Sequence, residues 1–153
     1  MTLTMTMTEK MSKELSEEIA EPEMDYGFRF KEWDIYTDSR KFRGFVNGLL
    51  NGFPKEEQYR LVDQAKRALN SIVLNLAEGS NRNSDKDTRV YVNRAHTSLD
   101  EVVSCMDCAL DDRYIDGKEH QQVLDKASSL AKRFRKFAAY LLRSHNQKSS
   151  SSS

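Results

Sequence analysis

The spacing of apolar residues constrains this chain more than any other feature. Val123, Ala127, Leu130, Phe134, Phe137 and Leu141 follow one another at intervals of four and three, which is the repeat of one face of an α-helix. A second stripe runs through Thr88, Val92, Ala95, Leu99, Val102, Met106 and Ala109. A third passes through Leu61 or Val62, Ala65, Ala68 or Leu69, Ile72 and Leu76. The stretch from Phe30 to Leu50 sets Phe30, Trp33, Tyr36 or Thr37, Phe42, Val46 and Leu49 on one side. Strand-like alternation is absent. Two prolines and six glycines in 153 residues leave too little turn chemistry for a many-stranded sandwich or barrel.

The breaks between stripes predict four helices. Gly52-Phe53-Pro54 ends the first and starts the second over about Lys55 to Glu78, with Glu56 and Glu57 suiting a helix N-terminus. Gly79 is expected to close it. Ser84 to Asp87 resembles a capping box for the third, and Gly117 breaks the chain again. Gly44 and Gly48 each weaken the first helix by about 1 kcal/mol relative to alanine, so a closely packed neighbour is expected beside them. Helices of about 24 residues are about 36 Å long, and short connections make neighbours antiparallel. The predicted fold is all-α: an up-down antiparallel four-helix bundle over residues 29–146. It is preceded by an acidic, partly disordered arm at residues 1–28, with a short helix over Glu9 to Glu21 stopped by Pro22, and followed by a disordered Ser-rich tail at residues 147–153.

Net charge is zero, but it is not evenly distributed. Met1 to Asp38 sums to −6 and Ser39 to Ser153 to +6. From Asp125 onward seven basic residues face one acid, and Lys132, Lys136 and Arg143 fall on the side of the fourth helix opposite Phe134 and Leu141. With Arg133 and the further cations Arg60, Lys66, Arg67, Arg89 and Arg94, they are the candidate nucleic-acid-binding residues. No aromatics interleave with them, so the expected binding is directed at phosphate and sensitive to salt. The acidic arm is expected to lie across this surface and compete with nucleic acid.

The stretch from Phe53 to Glu101 resembles a bacterial four-helix bundle family named for proteins encoded in intervening sequences of 23S rRNA genes. The residues that carry the resemblance are Phe53-Pro54, Glu57, Leu61, Gln64, Arg67-Ala68, Ser71-Ile72, Asn75-Leu76-Ala77-Glu78-Gly79 and Arg82, then Ala95, Ser98, Leu99 and Glu101. With the flanking helices the resemblance covers about Phe30 to Arg143. Val73 and Thr97 stand where the family commonly has proline and glycine. The resemblance implies a ring-shaped homopentamer rather than an enzyme. It also implies kinship with accessory proteins of diversity-generating retroelements, which are basic pentamers that bind nucleic acid and a reverse transcriptase. A +6 body repeated five times would carry about +30.

Catalytic chemistry finds little support in the sequence. No Glu is followed three residues later by His, as a di-iron bundle would need. His96, His120 and His145 share no motif and are expected to be solvated. Cys105 and Cys108 have C-x-x-C spacing, but they sit mid-helix with no second pair to complete a zinc site. No catalytic residue, metal or cofactor is therefore assigned. Glu78, in the last turn of the second helix, is expected to form a structural ion pair with Arg82 or Arg94, with Asn75 satisfying the helix end.

Tyr91, Tyr114 and Tyr140, with the apolar pairs Ala68-Leu69 and Val102-Val103, are expected to exceed what one bundle seam consumes and to require a partner surface. No apolar run approaches the length of a membrane span, and a cytoplasmic location is expected. The functional expectation is a non-catalytic oligomer that binds RNA or DNA. The alternative is a protein-interaction scaffold, such as an accessory subunit of a reverse transcriptase.

Overall fold

The computed structural model describes residues 4–12 and 27–151. These residues contain helices and no strand. Residues 7–12 are helical, and the remainder of the helix expected over Glu9 to Glu21 lies outside the described residues, as does most of the acidic arm. Four long helices follow: α1 (Asp34–Leu50), α2 (Leu61–Ser80), α3 (Asp85–Asp111) and α4 (Gly117–Ser151).

The side-chain pairings fix the topology. Arg43 meets Asn70, and Ser98 meets Ser71. Asp85 meets Ser144 at one end of the α3–α4 pair, and Asp107 meets His120 at the other. Trp33 packs on Phe137 while Asp38 pairs with Arg133. Thr88 of α3 also meets Gly79 of α2, so within the α2–α3, α3–α4 and α1–α4 pairs the numbering rises along one helix as it falls along its neighbour, and the four run up, down, up and down. The expected stripes close on one another in a single core. All seven positions read for the third helix are buried, as are Val123, Ala127, Leu130, Phe134 and Leu141. Phe134 is fully buried and Leu141 nearly so.

The stripe of α1 is rotated from the expected one. Ile35, Ser39, Phe42, Val46 and Leu50 are the buried set, whereas Trp33, Tyr36 and Leu49 are half-buried at its edge. The cause is at the N-terminus: Arg29–Glu32 is a 3₁₀ turn and Trp33 is extended, so the α-helix begins only at Asp34. Trp33 then lies edge-on to Phe137 at 5.0 Å, and Phe30 edge-on to Tyr36 at 4.8 Å. The second helix also starts late. Lys55–Glu57 is a separate 3₁₀ turn and Arg60 is bent out of helical geometry, which delays α2 to Leu61.

Helix ends follow the expected chemistry in part. The hydroxyl of Ser84 accepts the Asp87 N–H at 3.2 Å, capping α3. A reciprocal capping box, not anticipated from the sequence, opens α4: Asp116 accepts the Glu119 N–H at 2.8 Å while Glu119 accepts the Asp116 N–H at 3.0 Å. Gly79 does not close α2 in a left-handed conformation; it lies inside the helix, which runs on to Ser80. Its lack of a side chain serves a close approach, because a Cβ there would stand 2.8 Å from Tyr91 Cβ. Gly44 and Gly48 do not meet the expected close neighbour, since a Cβ at either would meet nothing within 4 Å.

The C-terminus also departs from expectation. The Ser-rich segment continues α4 as helix through Ser151. Ser144 and Lys148 hold this last stretch to Asp85 at 2.7 and 3.1 Å, and the Ser149 hydroxyl bonds the His145 carbonyl.

Candidate nucleic-acid interface

The expected cationic residues separate into different settings. Lys132, Lys136 and Arg143 are exposed on α4 as predicted, and Arg60, Lys66 and Arg67 are exposed on the α2 side. Arg67 is engaged by Asp63 at 3.1 Å one turn away. Arg133 is half-buried and paired with Asp38 of α1. Arg89 is half-buried, and its Nε has no hydrogen-bond partner. Arg94 is exposed but stacked over the Tyr91 ring at 4.9 Å. The structure therefore holds Arg94 at the α2–α3 corner with Tyr91 and Arg82, and places Arg89 on α3 one turn after Asp85, whose carboxylate bonds Ser144 of α4.

Three cations that the sequence reading passed over complete the α1–α4 edge where Arg133 and Lys136 stand. Arg40 and Lys41 are exposed on the polar side of α1, and Arg43 is half-buried on the flank that faces α2. A groove of about 660 Å³ between α1 and α2 is lined by all three, with Tyr36, Asn70 and Leu74. The Arg43 Nε donates to the Asn70 side-chain oxygen at 2.8 Å, which fixes the guanidinium across the groove. On the other side of α1, a groove of about 210 Å³ is lined by Asp38, Lys41, Lys126 and Arg133. Lys126 lies 4.9 Å from the Phe45 ring centroid. Trp33, Phe137, Arg133 and Lys136 border a further opening of about 500 Å³ at the start of α1, shared with Glu32 and Asp34. The run Arg40-Lys41-Phe42-Arg43 was visible in the sequence; it is found by reading the polar side of the first helix as the fourth was read.

The expected ion pair at the end of α2 is weaker than a buried pair. Arg82 and Glu78 approach only to 3.9 Å, and both are largely exposed. Asn75 does not cap the helix; its amide nitrogen donates to the Ser71 carbonyl and hydroxyl within the same helix, at 2.8 and 2.9 Å. Arg94 faces the ring of Tyr91 instead of Glu78.

The histidines are not all solvated. His96 is half-buried and stacked on Phe134, with centroids 5.9 Å apart. His120 is mostly covered and lies 2.7 Å from an Asp107 oxygen. Tyr91 and Tyr114 are also half-buried: Tyr91 lies under two arginines, and the Tyr114 hydroxyl donates to Glu57 at 2.9 Å. That bond raises the Tyr114 pKa. Tyr140 alone of the three is exposed, at 57%. Ala68, Leu69 and Val102 are consumed by the core of the single chain and offer no partner surface. Cys105 is buried, and burial pushes its thiol up to about 11, while Cys108 is exposed. Among the described residues no group of three or more metal-ligating side chains converges. No helix among them is long and apolar enough to cross a membrane.

The family profile described as 23S rRNA-intervening sequence protein matches residues 31–152. The chain belongs to the 23S rRNA-intervening sequence protein family. All four long helices, and with them both grooves flanking α1, fall inside the matched span. The acidic arm ahead of residue 31 falls outside it. Among curated proteins, none matches the chain closely enough to carry an argument.

Proposed function

We propose that this member of the 23S rRNA-intervening sequence protein family is a non-catalytic oligomer that binds RNA by its phosphates, across the edge formed by α1 and α4. The observation that carries this reading is the cationic lining of the grooves on both sides of α1. Arg40, Lys41 and Arg43 line one, and Lys41, Lys126 and Arg133 line the other. Asp38 is the one carboxylate lining either groove, and it is already paired with Arg133. Charges grouped in this way attract a polyanion more strongly than the zero net charge suggests. Exposed Lys132, Lys136 and Arg143 extend the surface along α4.

A ring of five copies would repeat this edge five times, and exposed Val90, Tyr140 and Leu142 support an interface between copies. A protein-interaction role, as for an accessory subunit of a reverse transcriptase, draws support from one feature. Leu74 is 59% exposed in the α1–α2 groove, which is an apolar floor that nucleic-acid phosphates would not need.

Fluorescence anisotropy with a labelled single-stranded RNA tests the main reading. Three to five neutralised phosphates predict an affinity about 20- to 130-fold weaker at 200 mM than at 50 mM salt. Binding that ignores salt would refute a phosphate-directed surface, and a DNA of the same sequence bound equally well would extend it to either polymer.

A further inference from the structure

The corner where α2 turns into α3 carries a second, separate arrangement of cations. The guanidinium carbon of Arg82 lies 4.4 Å from the centroid of the Tyr91 ring, and that of Arg94 lies 4.9 Å from the same centroid. Two like charges thus share one aromatic ring and stand at most about 9 Å apart. Arg94 makes no ion pair among the described residues, and Arg82 has only the distant Glu78 carboxylate at 3.9 Å. A guanidinium held against a ring keeps its N–H edge pointing outward, where a planar fork can take two oxygens at once.

The platform is rigid for reasons already visible in the helices. Gly79 lets α2 press against the Cβ of Tyr91 at a separation no side chain would permit. The Thr88 hydroxyl, one turn before Tyr91, donates to the Gly79 carbonyl at 2.9 Å. The Arg82 backbone N–H in turn donates to the Gly79 carbonyl at 3.3 Å. The single residue Gly79 therefore sets both the ring and the chain that brings Arg82 over it. Beside Arg82 opens a cleft of about 450 Å³, lined by Phe28, Phe30, Glu78 and Asn81 among others. That volume is in the range of small-ligand sites, and Phe28 presents a 53% exposed ring at its edge.

We propose that Arg82, Arg94 and Tyr91 form a binding site for a terminal phosphate monoester, with its nucleoside lying in the cleft toward Phe28. A monoester offers three terminal oxygens and nearly two negative charges at neutral pH, matching two forks and two cations. A phosphodiester within a chain offers only two free oxygens and one charge. The same chemistry is presented by a free nucleotide and by the 5′ end of a processed RNA. The site lies on the α2–α3 corner and does not depend on the α1–α4 edge.

Calorimetric titration of the full-length protein with AMP, with adenosine and with inorganic phosphate tests the assignment. AMP should bind and adenosine should not. Arg94→Gln and Arg82→Gln should each weaken AMP about tenfold, whereas Tyr91→Phe, which keeps the ring, should leave it within about twofold. Glu78→Gln should strengthen AMP by removing the nearest carboxylate, and affinity should fall below about pH 6 as the ligand takes up a proton. Unchanged thermal midpoints in the arginine variants show that the fold is retained. A 5′-phosphorylated RNA bound at least tenfold more tightly than both AMP and its 5′-hydroxyl counterpart assigns the site to an RNA end; equal affinity for AMP and the phosphorylated RNA assigns it to a free nucleotide. Equal binding of AMP and adenosine, no AMP binding at millimolar concentration, or arginine variants that bind AMP as the wild type does would overturn the proposal. Charge reversal on α1 and α4 should leave AMP binding intact, so this test and the RNA test can fail separately.

Discussion

Glycine substitutions distinguish a surface that is open from one that is filled, and this protein offers both cases in neighbouring helices. A Cβ at Gly44 or Gly48 meets no atom within 4 Å, so alanine at each position is free to act through helix propensity alone. Replacing glycine by alanine in an exposed helix interior gains about 1 kcal/mol, and the Gly44→Ala/Gly48→Ala pair should gain about 2 kcal/mol. For a chain of this length that raises the melting midpoint by about 4 to 8 °C. Gly79→Ala receives the same propensity gain but must displace Tyr91 Cβ, 2.8 Å away, and crowd the Thr88 carbonyl at 3.4 Å. Both obstacles belong to the α3 backbone or sit directly on it, so neither yields by a side-chain rotation. An overpacking cost of about 1 to 3 kcal/mol, less that gain of about 1 kcal/mol, leaves Gly79→Ala up to about 2 kcal/mol less stable than the wild type. Thermal unfolding followed by circular dichroism at a fixed protein concentration reads both. A fall in midpoint for the Gly44/Gly48 pair would refute the open surface. A rise for Gly79→Ala would refute the close α2–α3 approach.

Two further predictions follow from single residues. Hydrogen bonds from Ser144, and secondarily Lys148, hold the Asp85 carboxyl below its usual range. Asp85→Asn should therefore cost about 1 kcal/mol at pH 7. A lowered folded-state pKa gives stability that is present above the unfolded value of about 3.9 and lost as pH falls through the folded one. The gap between variant and wild-type melting midpoints should accordingly close in that acid range, and a gap that persists there would refute the role of the charge. Arg113 ends α3 with φ of 63°, and the Tyr114 N–H returns to the Ala109 carbonyl at 2.8 Å, a left-handed helix terminus that favours glycine. Arg113→Gly should stabilise the protein by about 1 kcal/mol in chemical denaturation, and a destabilised variant would show that the Arg113 side chain outweighs its backbone strain.

The parts of the fold legible in the sequence are those set by repetition. From Thr88 to Ala109 and from Val123 to Leu141 the apolar interval is unbroken over several turns, so the buried face can be read by counting. The first helix resisted because Trp33 is extended, which moves the helix start and rotates the buried set to Ile35 and Leu50. Periodicity carries no signal for one non-helical residue inside an apolar run. Glycines were misread for a related reason. Sequence shows that Gly44, Gly48 and Gly79 lack a side chain, but only the packing shows that Gly79 alone meets a neighbouring helix.

The candidate surface was half legible. Lys132, Arg133 and Lys136 stand out because the fourth helix has few acids. Arg40, Lys41 and Arg43 are obscured by Asp34 and Asp38 on the same helix, and become a lining only because α2 and α4 flank α1. Arg82 and Arg94 are twelve positions apart in sequence, and only the turn between α2 and α3 brings both onto Tyr91.

The central claim, that cations gathered along α1 and α4 neutralise RNA phosphates, is tested most directly by the salt dependence of RNA affinity in Lys41→Glu/Arg43→Glu/Lys126→Glu beside the wild type. The account predicts weaker binding at 50 mM salt and a log–log slope shallower by about 2, the share of three phosphate contacts to single-stranded RNA. A folded triple variant with the wild-type affinity and the wild-type slope would contradict it.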